Sequence, residues 1–262
     1  MLKIIILGSG TGIPYKKRGA PGILINSNKH WMLMDVGSGT ISKLAKLGID
    51  YKNIDFLLFS HLHPDHTLDL VSFLFALNYT PSYTRNKKLE IVGPTGLKEF
   101  IQKLQNIYPW IVPKSYSLII NEVTNSKLSF NDFKLQSRSV EHDIPSIAFR
   151  LSDDHNSAVI SGDTGYCDGI IQISKNADLL ILEASFPIKK YSTKNHLTAK
   201  EAGKIARITN VKNLVLKHLY PICDTYDMKS LSSKEFDGNI IISEDYTELV
   251  LDKGILKSRI LK

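Results

Sequence analysis

Cysteine is nearly missing from this chain. Its 262 residues hold two, Cys167 and Cys223, with no C-x-x-C spacing, so neither a disulfide framework nor a thiolate zinc site is indicated. No apolar run approaches the roughly 20 residues that cross a bilayer. The opening Met-Leu-Lys-Ile-Ile-Ile-Leu-Gly is too briefly apolar for a secretory signal and lacks a small-residue cleavage site. These absences set a reducing cytoplasm as the expected location and exclude a membrane partner. Repeats, linkers and low-complexity tracts are also missing, so the length is read as one domain over residues 1–262. Gly-Ser-Gly-Thr-Gly at 8–12 could cradle a phosphate, but it is neither a P-loop nor followed by a convincing helix.

What is present is an ordinary globular composition, 43% hydrophobic and 23% charged, with a formal net charge of +7 from 33 Lys+Arg against 26 Asp+Glu. That surplus suits anionic substrates, phosphates and nucleic acid among them. No dense basic block accompanies it, so the charge permits such a substrate without identifying one. β-branched and alternating runs predict strands over Leu2–Leu7, Gly22–Asn26, Trp31–Asp35, Ile54–Phe59 and Leu89–Val92. A hairpin turn is expected at Asn28-Lys29. Helices are predicted over Thr40–Leu47, Leu68–Asn78 and Gly96–Ile107, the second apolar all round and mostly buried. Further strands are expected at Ser117–Val123, Lys127–Phe130, Phe133–Val140, Ile147–Leu151, Ala158–Ser161, Leu179–Leu182 and Leu214–Leu216, with a helix at Ala199–Ile208. The last strands fall near Ile240–Ile242 and Glu248–Leu251. Mixed strands with helices in both halves predict an α/β fold of two sheets flanked by helices.

The chemistry concentrates in Phe-Ser-His-Leu-His-Pro-Asp-His-Thr-Leu-Asp, residues 59–69, where His61, His63, Asp65 and His66 fall within six positions. Three of the eight histidines crowd into this one turn. His61 and His63 share a face of an extended segment, because alternate residues point the same way. Asp65 and His66 are swung round by a turn that Pro64 stiffens. Imidazoles suit zinc, and imidazoles joined by a carboxylate suit zinc, manganese or iron. Three further candidates stand at predicted strand ends, where open α/β sheets present functional groups. They are His142 in Val-Glu-His-Asp, Asp163 in Ser-Gly-Asp-Thr-Gly, and His218 after Leu-Val-Leu-Lys. Each alone is weak evidence for a metal site. Asp69 is either a hydrogen-bond partner for a ligand histidine or a helix-start charge.

His-Leu-His-Pro-Asp-His resembles the H-x-H-x-D-H signature of the metallo-β-lactamase superfamily, and His142, Asp163 and His218 follow in the order that superfamily requires. The resemblance implies an αβ/βα four-layer sandwich and two divalent metal ions, Zn2+ foremost, with Mn2+ or Fe2+ as alternatives. It assigns His61, His63 and His142 to one ion, Asp65, His66 and His218 to the other, and Asp163 as the bridge. Asp65 would also orient the attacking water. Two such ions lower the pKa of a shared water and clamp both oxygens of a displacement.

Within the superfamily, Leu-Gly-Ser-Gly-Thr-Gly-Ile-Pro with Arg18, the segment Ser139–Leu151, Glu183-Ala184-Ser185-Phe186 and His196-Leu197-Thr198-Ala199 resemble ribonuclease Z and related phosphodiesterases. That branch implies that Glu183 orients His196, and that His196 protonates the departing alkoxide. On the residues alone, His196 is equally well a helix-start residue before Thr198, a candidate N-cap. Two departures matter. His142 and Asp163 lie only 21 positions apart, too few for the long arm with which tRNA-processing members hold their substrate. Gly165 also stands where the family often has arginine. The expected activity is therefore hydrolysis of small or cyclic phosphodiesters, a cyclic nucleotide for example, or of RNA ends. A tRNA 3′-processing endoribonuclease is the first alternative, and a carboxylic-ester, lactone or thioester hydrolase the second. A non-catalytic scaffold is disfavoured by the intact ligand set. Family relatives are often dimers, so the resemblance allows a homodimer, while the residues themselves show no interface.

Overall fold

Alternation along each strand decides the layers. In β1 (Leu2–Gly8), Ile4 and Ile6 face the opposite sheet while Ile5 and Leu7 face helices, as a side-chain period of two requires. The computed structural model describes residues 1–27, 30–130 and 132–261; the expected turn at Asn28-Lys29 lies outside them. β2 (Gly22–Ser27) and β3 (His30–Val36) run antiparallel beside β1. β4 (Ile54–Leu58), β5 (Leu89–Gly93) and β6 (Leu118–Glu122) then add in parallel. The second sheet starts from β7 (Lys127–Ser129), β8 (Lys134–Val140), β9 (Ser146–Ser152) and β10 (Ser157–Ile160), all antiparallel. It continues in parallel through β11 (Leu179–Glu183), β12 (Asn213–Lys217) and β13 (Asn239–Ile242).

The chain then returns to the first sheet. β14 (Thr247–Asp252) pairs antiparallel with β1, Leu2 opposite Leu251, and carries β15 (Ile255–Ile260) outside it. The sheets therefore hold eight and seven strands, in the orders β15-β14-β1-β2-β3-β4-β5-β6 and β13-β12-β11-β10-β9-β8-β7. Helices α1 (Thr40–Lys46), α2 (Pro64–Thr67), α3 (Asp69–Tyr79) and α4 (Leu97–Ile107) belong to the first half. Helices α5 (Asp168–Ser174), α6 (Ala199–Ile208) and α7 (Met228–Ser233) belong to the second. Leu44, Leu70, Phe73, Leu97 and Ile101 cover the outer face of the eight-stranded sheet. Ile170, Ala202, Ile205, Ala206 and Met228 cover that of the seven-stranded one. This is the αβ/βα four-layer metallo-β-lactamase sandwich.

Three details differ from the sequence reading. α3 is not buried all round: Leu68, Phe75 and Tyr79 are 60%, 47% and 38% exposed on one stripe, because the helix has a sheet on one side only. α5 and α7 are short and carry few periodic residues, so their pattern was too brief to show. β15, Ile-Leu-Lys-Ser-Arg-Ile, is an exposed edge strand whose charges hide its alternation. Between the sheets Phe149 is fully enclosed. Phe149→Ala should cost about 3–5 kcal/mol, measured by urea unfolding. Ile255→Ala on the 66%-exposed edge should cost within about 0.5 kcal/mol. Similar losses at both positions would contradict this layering.

Candidate metal centre

Strand ends of both sheets deliver the polar side chains to one edge of the sandwich. β4 ends at Leu58, and the extended segment after it carries His61 and His63 before Pro64 opens the single turn of α2. Proline suits that first position because its missing N–H would be unpaired there anyway. The turn brings Asp65 and His66 round beside the histidines. From the other sheet, His142 follows β8, Asp163 follows β10 and His218 follows β12. His218 sits at φ 56° and Asp35 also at φ 56°, a left-handed conformation that non-glycine residues adopt at a cost.

All seven residues meet. Imidazole nitrogens of His61, His63 and His142 converge, with His61 Nε2 3.1 Å from His63 Nδ1 and His142 Nε2 3.2 Å from the same atom. Asp65, His66 and His218 form a second group, His218 Nε2 lying 3.6 Å and His66 Nε2 3.7 Å from Asp65 Oδ2. Asp163 stands between the groups. Its Oδ2 is 3.7 Å from His61 Nε2 and 3.3 Å from His218 Nε2, and its Oδ1 is 3.4 Å from His66 Nε2. In each of these clusters the donor atoms lie within 4.8 Å of one another. His66 Nε2, His218 Nε2 and Asp163 Oδ1 are buried without any hydrogen-bond partner. Buried polar atoms are almost always satisfied. Three unsatisfied ones aimed at a shared space are what a divalent cation would complete, so the residues fit a metal centre.

A further layer of side chains holds the imidazoles. His66 Nδ1–H donates to Asp35 Oδ2 at 2.8 Å, and the Ser60 hydroxyl lies 2.9 Å from both Asp35 Oδ2 and His61 Nδ1. On the other sheet, His218 Nδ1–H donates to Ser185 Oγ at 2.9 Å, while that hydroxyl donates to Glu183 Oε2 at 2.8 Å. His142 Nδ1–H donates to the Asn195 carbonyl at 3.2 Å. Such contacts fix the tautomer and aim the free nitrogen. Asp69 has no part in this: its carboxylate accepts from Gly39 N and Ile41 N at the start of α1. Asp35, Ser60 and Ser185 were not singled out from the sequence. Asp35 could have been found, because Asp-Val-Gly closes the strand that pairs in parallel with β4.

Glu183 is fully buried and accepts from Thr164 N, Ser185 N and Leu197 N as well as from His196 Nδ1, the last at 2.8 Å. His196 lies at the rim, and its donor atom falls within 4.8 Å of those of Asp163 and His218. Thr198 does cap α6, in a capping box with Glu201, so the capping and His196 readings describe neighbouring residues rather than competing for one. Burial would lower the His196 pKa, but the hydrogen bond and charge of Glu183 outweigh it and raise it. His61 is pushed well down by burial and by the nearby His66 cation. At His66 burial also opposes charge, yet Asp163 and Asp35 lift its pKa to about 10. Asp65 is brought to about 2 despite burial, through the neighbouring imidazoles of His218 and His66. Tyr220 is half-buried beside the site, its ring 6.3 Å from that of His218 and stacked on Phe186.

Small residues let the two sheets' loops close on this centre. A Cβ at Gly37 would lie 2.0 Å from the Asp65 carbonyl, and one at Gly162 would lie 2.4 Å from Ser60 Cβ. At Gly165 the clash would be with the Lys194 carbonyl at 2.1 Å. That contact joins the Asp163 loop to the His196 loop and explains glycine at this position. The segment between His142 and Asp163 is the β9–β10 hairpin, and no arm projects from it.

Residues 30–219 match the family model for the β-lactamase superfamily domain. The chain therefore belongs to that superfamily, and its metal-ligating clusters make it a metal-dependent hydrolase. Within the superfamily its likeness runs to ribonuclease Z sequences. It is 26% identical to the ribonuclease Z of Thermococcus onnurineus over 97% of this chain and 96% of that one. To the ribonuclease Z of Clostridioides difficile it is 26% identical over 96% and 99%. The metallo-β-lactamase fold protein YhfI from Bacillus subtilis superposes with a TM-score of 0.82 at 26% identity, covering 98% of this chain and 99% of YhfI. Human tRNase Z, short form, shares the fold with a TM-score of 0.77 at 22% identity, over 95% and 98%. Among the described residues no helix is long and apolar enough to cross a membrane.

The raised pKa of His66 has a measurable consequence. In the metal-free protein at neutral pH the imidazole holds a proton, which a metal ion must displace to reach Nε2. Metal uptake should therefore release at least about one proton per chain, and affinity should rise with pH up to about 10. Calorimetric titration with zinc in buffers of different ionisation enthalpy measures that release. Uptake without proton release would contradict a protonated His66 held between Asp163 and Asp35.

Proposed function

We propose that the protein is a two-zinc phosphodiesterase acting on small or cyclic phosphodiesters or on single-stranded RNA ends. The observation that carries this reading is the convergence of seven ligands on one edge with the His196–Glu183 pair directly beside them. His61, His63 and His142 would hold one ion, Asp65, His66 and His218 the other, with Asp163 shared between them. Cations held there would act as Lewis acids on a water and on the phosphoryl oxygens. Asp65, accessible at the edge of the group, accepts a hydrogen bond from the attacking water and orients it. His196 supplies a proton to the departing oxygen, and Glu183, fixed by three backbone N–H groups, favours the protonated imidazole and holds it by Nδ1. Phe186 and Tyr220 form an aromatic wall next to that donor. A homodimer completes the reading; light scattering at the monomer mass would remove it.

The relatives' name favours precursor tRNA as the competing substrate. Against it stands the tight β9–β10 hairpin, which leaves this chain no arm for gripping a large substrate from a distance. Binding energy from remote substrate parts normally serves the chemical step. Small diesters should therefore be hydrolysed well and precursor tRNA poorly. Equal efficiency, compared as kcat/KM, would sink that distinction.

His196 gives the sharper test. An alkoxide leaving group of high pKa needs a proton in the transition state, whereas p-nitrophenolate does not. His196→Ala should cost roughly 10²–10⁴-fold in turnover of an alkyl diester and much less with a p-nitrophenyl diester. Its metal content should stay that of the unaltered protein. Glu183→Gln should show the same dependence more weakly. The imidazole also lies near enough to Asp163 and His218 to ligate. Equal losses on both leaving groups, together with lost metal, would reassign His196 as a ligand.

A further inference from the structure

One peptide unit ties a histidine of the metal-binding cluster to His196. His142 Nδ1–H donates to the carbonyl of Asn195 at 3.2 Å, and the nitrogen end of that same peptide belongs to His196. The two imidazoles are also neighbours, their ring centroids 5.2 Å apart and their planes at 72°. A peptide unit is planar and stiff. Any rotation that takes the carbonyl away from His142 therefore also moves the backbone from which His196 projects.

That peptide is fastened from several sides. Asn195 Nδ2 donates to Oδ1 of Asp143, the residue after His142. The Lys194 carbonyl packs against Gly165, whose N–H donates to the Glu141 carbonyl at 2.8 Å. Within the loop, Asn195 N donates to Thr193 Oγ1 at 3.3 Å and Ser192 Oγ to the His196 carbonyl at 3.1 Å. Among the described residues, Asn195 is the one member of the 185–198 loop whose side chain hydrogen-bonds to the His142 loop. Its amide is suited to the place. It donates to a carboxylate, which strengthens the bond, and brings no charge of its own beside His196. A carboxylate here would face Asp143 with like charge. Against burial, Asp143 adds its charge to those of Glu183 and Asp163 in raising the His196 pKa.

We propose that Asn195 is a positioning residue: by anchoring its own peptide to Asp143, it places His142 and His196 as a unit and so sets the distance of His196 from the metal centre. The inference rests on the phosphodiesterase reading for what His196 then does, which is to deliver a proton to the departing oxygen. Glu183 holds the imidazole by Nδ1, whereas Asn195 holds the main chain behind it. Part of the general-acid effect would thus belong to a side chain that touches neither substrate nor metal. Such geometry is exacting, since a misplacement of about 1 Å can cost 10²-fold in rate.

The test uses the zinc-loaded protein. Asn195→Ala should lower kcat for an alkyl diester roughly tenfold and leave its KM unchanged, with turnover of a p-nitrophenyl diester held within about twofold. Asn195→Asp, which sets two carboxylates against each other, should do no better. Adding Asp143→Asn to it restores the hydrogen bond with donor and acceptor exchanged, and kcat should return to within about threefold of the unaltered protein. A merely structural loop residue would lower both substrates alike. Magnetic resonance of isotope-labelled histidine gives a readout without turnover. In Asn195→Ala the His142 Nδ1–H proton should exchange with water at least about tenfold faster, while those of His66 and His218, held by Asp35 and Ser185, stay as they were. In the unaltered protein a nuclear Overhauser contact between the His142 and His196 rings is expected, which requires no variant to fold. Equal losses on the two diesters, no rescue by the exchanged pair, unchanged exchange at His142, or no contact between the two rings would overturn the proposal. If the unaltered protein hydrolyses neither diester, the phosphodiesterase reading falls instead, and proton exchange and the ring contact still decide whether Asn195 positions the pair.

Discussion

Asp163 sets the terms for everything around it. A carboxylate with almost no access to water, and one oxygen left without a hydrogen bond, is costly to bury. Burial by itself would favour its neutral form, yet the charges of His218, His66 and His61 hold its pKa well below the usual range. The His66 imidazole gains likewise from the carboxylate. Each group is tolerable inside the protein because the others are there, and a metal ion would take over the charge balance that the His66 proton supplies in its absence. The two sheets bring those groups from opposite sides to a common edge.

Both halves use the same local solution. In the first, a carboxylate at the end of a strand, Asp35, is joined through the Ser60 hydroxyl to His61 and directly to His66. In the second, Glu183 is joined through the Ser185 hydroxyl to His218 and directly to His196. Three of these four imidazoles, those of His61, His66 and His218, are in the ligand sets proposed for the two ions. The fourth, His196, stands at their rim, tied to its carboxylate in the same way. The chemistry assigned to His196 therefore comes from its position rather than from a different kind of support.

The residues of the metal-binding clusters were legible because metal chemistry leaves a dense local trace: four of them within six positions, and three at strand ends in an expected order. The layers were legible because alternation survives in strands enclosed on both faces, as in Ile4, Ile5, Ile6 and Leu7. Asp35 and Ser185 were silent because the histidines they hold lie far away in sequence, and Ser60 because a serine beside a histidine carries no pattern. Asp35 reaches His66 across 31 residues and Ser185 reaches His218 across 33, and a lone serine or aspartate carries no periodicity. Asp69 was open between a ligand histidine and a helix start, and packing of α3 beside α1 decided it, because the unsatisfied N–H groups at the start of α1 lay within reach. The exposed stripe of α3 shows the same limit, since apolar identity alone does not say which side a sheet will cover.

The return of the chain to its first sheet bears on the order of events during synthesis. The glycine-rich loop after β1 abuts Asp65, and it is tied down from the far end of the chain. Ser9 donates through both its N–H and hydroxyl to Asp245, and Arg18 donates to the Ser243 carbonyl. Every ligand lies before residue 219. A growing chain thus possesses its full set of metal-binding side chains before the residues that fasten this loop have been made. The edge of the centre therefore takes its final form only when both ends of the chain are in place.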